Sequence, residues 1–321
     1  MRLEPITVMR WEPTDWTLEV IDAGGTTTTI ECFPVPFSAP VDGLEVGLAA
    51  WDEARPAGVS GKASLYDVPL LTIPADLLVN AGSAPADLTG RIVDPEGTPA
   101  SPATHTVPFG AQFQEVMEPS IEAGAAAFIG TLTDYPGDSF NYFVPYDGRS
   151  RPIPGVWVNG TDGAWVRDRL AEGPVRVRLS VVSTLDEVES HNVVGEFEGA
   201  DDEMVIIGSH HDGPWSSAVE DGSGISLVLA QAAYWAAQPV ERRPHRLVFL
   251  LQGGHMSGGA CLAPDAFGSQ PPTGGAFYHV EGVPVMNFLT APFYLFDEMD
   301  TLDKIDQDSL EPLTGVIETA G

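Results

Sequence analysis

Short apolar runs separated by glycine and proline follow one another through the first 185 residues. The runs WTLEVID, GKASLYDVPL, AAFIGTL, GVWVNG and VRVRLSVV have the length and β-branched content of strands. PSIEAGAAAFIG predicts a helix, and the turn-rich stretches 93–110 and 135–155 predict long surface loops. Residues 1–185 therefore predict a β-rich domain.

The pattern changes in residues 186–321. The strand-like run MVIIG precedes a polar loop, the apolar helix ISLVLAQAAYWAAQ and a second strand, RLVFLLQ. This alternation predicts a βαβ unit in a mostly parallel sheet covered by helices, with the helix buried between layers because it is apolar nearly all round. VPVMNFL (283–289) predicts a third strand, and the last residues predict a loop and a closing helix. The fold class is α/β with a β-rich first domain.

Composition narrows the possible partners. The 321 residues include 46 acids and 15 bases, for a formal net charge of -31, which makes nucleic acid a poor partner. A salt-rich cytoplasm or an ordinary acidic, lysine-poor proteome would each explain this charge, and we favour the first. No apolar leader and no apolar run of roughly 18 residues is present, so we expect a cytoplasmic protein without a membrane span. Cys32 and Cys261 form neither a disulfide framework nor a zinc motif.

The loop GSHHDGPWSSAVEDGSG (208–224) carries the candidate chemistry. If MVIIG and RLVFLLQ are parallel neighbours, this loop and GGHM leave the sheet at the same carboxyl edge, where α/β sheets bind ligands. The groups expected to converge there are His210, His211, His255, Asp212, Glu220 and Asp221. Imidazole and carboxylate together suit zinc. The alternative is a solvated loop whose acids cap the following helix.

These residues also carry a family resemblance. GSHHDG followed by AVEDGSGISLVL resembles the G-x-H-x-D … D-x-x-x-G signature of the co-catalytic zinc aminopeptidases, metallopeptidase family 28. SGKASL, IEAGAAAFI and IPGVWVNGTDGAWVRDRL resemble a protease-associated (PA) domain. The resemblance implies that His210 binds a metal, that Asp212 orients this histidine, and that Asp221 bridges two ions. It also implies zinc, with manganese or cobalt as alternatives, and a first domain that filters substrate.

Several positions depart from the family pattern. Gly254-His255-Met256 stands where the family has a Glu-Glu pair of base and ligand, and Leu295-Phe296-Asp297 stands where it has a histidine. A strand and helix expected near 261–275 are not evident, so either the domain is shortened or this subfamily builds its site differently. His279 and Glu281 are candidate substitutes for the absent ligands.

The leading hypothesis is a metal-dependent exopeptidase of the aminopeptidase type, acting on peptides. His255 or Glu220 would be the base, Asp212 would support catalysis, and His210, Asp221 and His255 would bind metal. The alternative is a non-catalytic relative that binds peptides or a protein partner. A serine hydrolase is set aside because neither Ser223 nor Ser257 lies in a G-x-S-x-G elbow. The oligomeric state is left open.

Overall fold

A long antiparallel ribbon runs through the computed structural model, which describes residues 1–74, 104–110, 113–135, 137–258 and 292–320. Strand β1 (Arg2–Ile21) pairs with β9 (Arg176–Phe197) from Arg2↔Val194 to Ile21↔Arg176, with a shift of register at Pro13/Asp15. A tight turn with Gly25 at φ 85° leads from β1 into β2 (Thr27–Ile30), and only a residue without Cβ adopts this φ freely. The ribbon links the two halves of the chain.

Four parallel strands form the centre of the first half. β4 (Val41–Ala50), β5 (Ala63–Pro74), β7 (Ala127–Thr133) and β8 (Gly155–Asn159) lie side by side in that order, and β4 joins β9. β3 (Phe33–Pro34) and β6 (Thr104–Gly110) add antiparallel partners to β8 and β5. The first half also contains two helices, α1 (Glu118–Glu122) and α2 (Gly160–Glu172). The side chain of Asn159 accepts a hydrogen bond from Asp162 N and so caps α2.

The second half contains the predicted strand, helix and strand. β10 (Met204–His210) and β11 (Arg246–Gln252) are parallel, and β11 is antiparallel to β9. Between them runs α3 (Gly224–Ala237), and the chain closes with α4 (Gln307–Ala320). Shorter helical turns are Pro56–Val59, Phe113–Glu115, Ala218–Ser223, Val240–Arg242, His255–Ser257 and Leu302–Lys304. The α/β fold class is confirmed, and no helix of the described residues is long and apolar enough to cross a bilayer.

A shared apolar core joins the two halves. Its buried side chains come from β1, from the strands of the first half and from the loops of the second, and they include Trp11, Phe128, Trp157, Val219, Met256 and Phe296. A second cluster lies between the ribbon and the parallel strands, with Leu18, Leu65, Ile129, Val156 and Leu179. Residues that flank the candidate site are therefore fixed by side chains from the first half.

Three expectations need correction. The helix α3 is not buried between layers in the described part of the chain, because Leu229 is 56% and Tyr234 38% exposed. The predicted loop 93–110 contains β6 from Thr104 onward. In the predicted surface loop 135–155, Tyr142 and Arg151 are buried, and the Tyr142 hydroxyl donates to Pro108 O.

The proposed boundary between residues 185 and 186 lies within β9, a single uninterrupted strand. The division into two domains stays a prediction. The expected gap near 261–275, the strand 283–289, Cys261, His279 and Glu281 all lie outside the described residues.

Candidate metal centre

The carboxyl ends of β10 and β11 bring two histidines together. His210 is the last residue of β10 and stands opposite Gln252, the last residue of β11. After Gln252 the chain turns at Gly254, at φ 79°, into the His255 turn. The two imidazole rings stack with centroids 4.1 Å apart and planes 26° apart, and both side chains are buried. Parallel pairing therefore places His210 and His255 together, as expected from the sequence.

The neighbouring histidine points elsewhere. His211 is exposed, and its Nε2 lies 2.8 Å from the main-chain oxygen of His191 in β9. Successive residues at the end of a strand project to opposite faces of the sheet, so only one of the pair can face His255. His211 does not join the group.

Glu220 completes a three-residue group of possible metal ligands. Its Oε1 lies 3.1 Å from His210 Nε2, and ligand atoms of His210, Glu220 and His255 all lie within 4.8 Å of one another. All three side chains are buried. Two imidazoles and a carboxylate at this spacing suit zinc, whose bonds to such atoms are about 2.0–2.2 Å long. The donor set therefore fits a zinc ion.

Asp221 lies beside this group but is not one of its members. Its Oδ2 is 3.8 Å from His210 Nε2, and its carboxylate accepts hydrogen bonds from the Ser209 hydroxyl and from His210 N at 3.3 Å. Glu220 and Asp221 both have non-helical backbone angles, so their side chains leave the chain in different directions. The signature spacing D-x-x-x-G, counted back from Gly224, also falls on Glu220.

Asp212 connects the two loops of the site. His210 Nδ1 lies 2.8 Å from the main-chain oxygen of Asp212 and 3.7 Å from its carboxylate. The carboxylate accepts hydrogen bonds from His255 N at 3.2 Å and from Met256 N at 2.7 Å. Contact with His210 Nδ1 leaves Nε2 facing Glu220. Asp212 thus contacts His210 and also holds the turn that carries His255.

Burial and charge set the protonation of the group. Burial lowers the pKa of His210, but the carboxylates of Asp212 and Glu220 outweigh it and raise the pKa to about 10. Burial, with the charge of His210, lowers the pKa of His255. Burial raises the pKa of Asp221 to about 7. Neutral His255 is in the form that binds a metal, whereas His210 must first lose its shared proton.

Two elements outside the predicted motif reach the site. Tyr146, from the loop before β8, packs its ring 5.6 Å from the His255 ring, and its main-chain oxygen accepts from Gly258 N at 2.7 Å. Asp300 is buried and contacts the segment that carries Glu220. Nothing in the spacing around Tyr146 predicts this position. Asp300 begins the sequence DTLDK in the closing segment, and this sequence alone does not indicate a contact with Glu220.

The sequence of the site matches a family model. Residues 192–254, which include β10, α3 and β11, match the model of Peptidase family M28. This segment of the chain is similar to peptidase family M28. This match covers the loop that carries His210 and Glu220 and ends one residue before His255.

Sequence comparison finds curated relatives that are leucine aminopeptidases. Leucine aminopeptidase 2 of Arthroderma otae is 29% identical over 191 residues, which are 55% of this chain and 34% of that protein. Leucine aminopeptidase 2 of Trichophyton rubrum is 28% identical over the same shares. The match to the M28 relatives thus spans about a third of their length.

Solved structures share the fold. An aminopeptidase from Aneurinibacillus sp. strain AM-1 superposes with a TM-score of 0.61 at 16% identity, covering 98% of this chain and 82% of that one. BSAP, a zinc aminopeptidase from Bacillus subtilis, has a TM-score of 0.58 at 15% identity, with 98% and 83% covered. At these identities the likeness shows the fold alone.

Proposed function

We propose that this protein is a metal-dependent exopeptidase of the aminopeptidase type. The observation that carries the proposal is the convergence of His210, Glu220 and His255 at the carboxyl edge of β10 and β11, with ligand atoms within 4.8 Å. The M28 match over this segment and the leucine aminopeptidases support peptides as the substrate class.

In this proposal the three residues hold a zinc ion, and manganese or cobalt are the alternatives. Zinc bound there would supply a Lewis acid for the scissile carbonyl group and would acidify water. His210 Nε2 and Glu220 Oε1 already face each other at 3.1 Å, so the ion would replace a shared proton. A second ion would draw on Asp221, whose Oδ2 lies 3.8 Å from His210 Nε2.

Proton transfer falls to a carboxylate in this proposal. A general base works best when its pKa lies near the working pH, and the lowered pKa of His255 makes its imidazole a weak base. We therefore assign His255 as a ligand, and the base would be a carboxylate other than the ligand Glu220. Asp212 supports the site by holding His210 and the His255 turn, and the first half of the chain would limit access of substrate.

The alternative, a non-catalytic relative, has one observation in its favour. Met256 and Phe296 stand at positions that correspond to a metal ligand of the family pattern or are adjacent to one. Both side chains are buried in the shared apolar core. Phenylalanine has no ligand atom, and methionine is a poor zinc ligand beside carboxylate. A site with fewer ligands would bind metal less firmly or would not turn over.

Zinc content and hydrolysis of aminoacyl anilides, measured on the same samples in high salt, test the proposal. We expect wild-type protein to retain zinc and to hydrolyse the anilide. His210→Ala should lose both, whereas His211→Ala, its exposed neighbour, should keep both. Zinc binding without turnover would favour the non-catalytic relative. Equal behaviour of the two variants would refute the proposed site.

A further inference from the structure

Asp300 accepts hydrogen bonds from three consecutive main-chain N–H groups of the segment that carries Glu220. Its Oδ1 accepts from Val219 N at 2.8 Å and its Oδ2 from Glu220 N at 2.9 Å. Its main-chain oxygen accepts from Ala218 N at 3.3 Å. The Asp300 side chain is 1% exposed, so water does not compete for these hydrogen bonds. A residue eighty positions later in the chain therefore fixes this segment.

The segment 218–220 needs such a partner. It begins the helical turn Ala218–Ser223, and the first N–H groups of a helical segment have no carbonyl partner within that segment. Ser217 has φ 42°, and Glu220 departs from helical geometry with φ -101° and ψ 84°. The direction of the Glu220 side chain follows from this backbone, and it leads Oε1 to 3.1 Å from His210 Nε2. Loss of the Asp300 contacts would release the backbone from which Glu220 extends.

Asp300 itself is held by the loop around it. Asp300 N donates to Asp297 O at 3.0 Å, and Asp297 Oδ1 accepts from Met299 N at 2.8 Å. The same loop is attached to the first half, because Phe296 O accepts from Phe143 N at 2.9 Å. A carboxylate fixed in this way transmits its position to the residues it contacts.

We propose that Asp300 is a positioning residue that holds Glu220 in the geometry required to bind the metal ion. The inference rests on the proposed function, in which Glu220 is a ligand. Asp212 offers a comparison within the same site, since its two oxygens accept from His255 N and Met256 N. Two carboxylates, the buried Asp300 and the partly exposed Asp212, thus each hold two consecutive N–H groups at a proposed ligand.

Asp300→Asn tests the inference because it keeps the size of the side chain but replaces one acceptor oxygen by an amide group. That group would face a main-chain N–H and could not accept from it. Residues that support metal ligands typically contribute 10–100-fold to metal affinity, so we expect at least a tenfold weaker Kd for zinc. Asp303→Asn is the matched control, since the exposed Asp303 of the same loop contacts Thr301 and Lys304.

Zinc affinity would be measured by competition with a chromophoric chelator, together with thermal melting to confirm folding. Asp300→Glu, which keeps both oxygens but displaces them, is measured as well so that an unfolded Asn variant does not end the test. We expect a loss of affinity in both Asp300 variants and none in Asp303→Asn. A folded Asp300→Asn or Asp300→Glu protein with wild-type affinity would overturn the inference while leaving the proposed function intact.

A double-variant comparison separates positioning from general damage. If Asp300 acts through Glu220, Asp300→Asn should have no further effect on zinc affinity in a Glu220→Ala background. An equal loss in both backgrounds would show that Asp300 affects the site by another route and would refute the inference. Wild-type protein that binds no zinc would refute the proposed function first, and the inference with it.

Discussion

Replacement of Arg151 by methionine should be one of the most destabilising changes in the loop that carries Tyr146. The guanidinium donates to both oxygens of Asp147, at 2.6 and 2.7 Å, and to the main-chain oxygens of Arg149 and Gln114, at 2.6 and 2.8 Å. The side chains of Arg151 and Asp147 are only 2% and 11% exposed. Methionine fills similar volume but leaves the Asp147 carboxylate buried without its partner, so we expect a loss of about 3–5 kcal/mol.

Arg149→Met provides the matched control, because Arg149 also approaches Asp147. Its Nε lies 4.0 Å from Asp147 Oδ2, and its side chain is 66% exposed. Exposed pairs contribute about 0–1 kcal/mol. Urea unfolding followed by tryptophan fluorescence, at one fixed salt concentration, would give both free energies of unfolding. Equal losses in the two variants, or a loss below about 1 kcal/mol for Arg151→Met, would refute the reasoning from burial.

Three further predictions concern packing, pH and salt. A Cβ at Gly130 would lie 2.5 Å from Trp157 Cε3 and 2.7 Å from Phe128 Cε1, and both rings are fully buried. Gly130→Ala should therefore lower the free energy of unfolding by about 1–3 kcal/mol or more in the same urea assay, and wild-type stability would contradict this prediction. Burial raises the pKa of Asp297, so the native state binds this proton more tightly than the unfolded state, and stability falls as pH rises from the ordinary carboxyl range toward the native pKa. Asp297→Asn should remove that decline. Thermal melts of both proteins from pH 4 to 7 would test this prediction, and parallel curves would refute it. Because the formal net charge is -31, the melting temperature should rise with KCl concentration, and indifference to salt would argue against adaptation to a salt-rich cytoplasm.

The fold could be predicted where apolar residues follow one another without interruption. MVIIG and RLVFLLQ are such runs, and they form the parallel pair β10 and β11. Parts of β1 and β9 were predicted as strands, in WTLEVID and VRVRLSVV, but the full length of their ribbon was not. Many of the remaining side chains are exposed and polar, as in STLDEVES, so no periodic apolar signal marks them. The exposed face of α3 also could not be predicted, since an apolar helix sequence does not reveal which of its faces neighbouring elements will cover.

The site could be predicted to the level of its loops but not of each side chain. Strand ends identify His210 and His255 because parallel strands bring their carboxyl ends to one edge. The choice between Glu220 and Asp221 depends on backbone angles just before α3, which adjacent acidic residues in a sequence do not reveal. Asp300 and Tyr146 come from distant segments, and only tertiary contacts bring them to the site.

Because strand β9 is continuous, the sheet is not interrupted between the two halves of the chain. At Val193 and Val194 the strand pairs with β1 on one side and with β11 on the other. Parting the halves along this line would break a row of backbone hydrogen bonds, which a bound peptide does not replace. In the proposed function, a substrate would therefore bind among the loops at the carboxyl edge of β10 and β11, and a cut at residue 185 would sever a strand that both halves use.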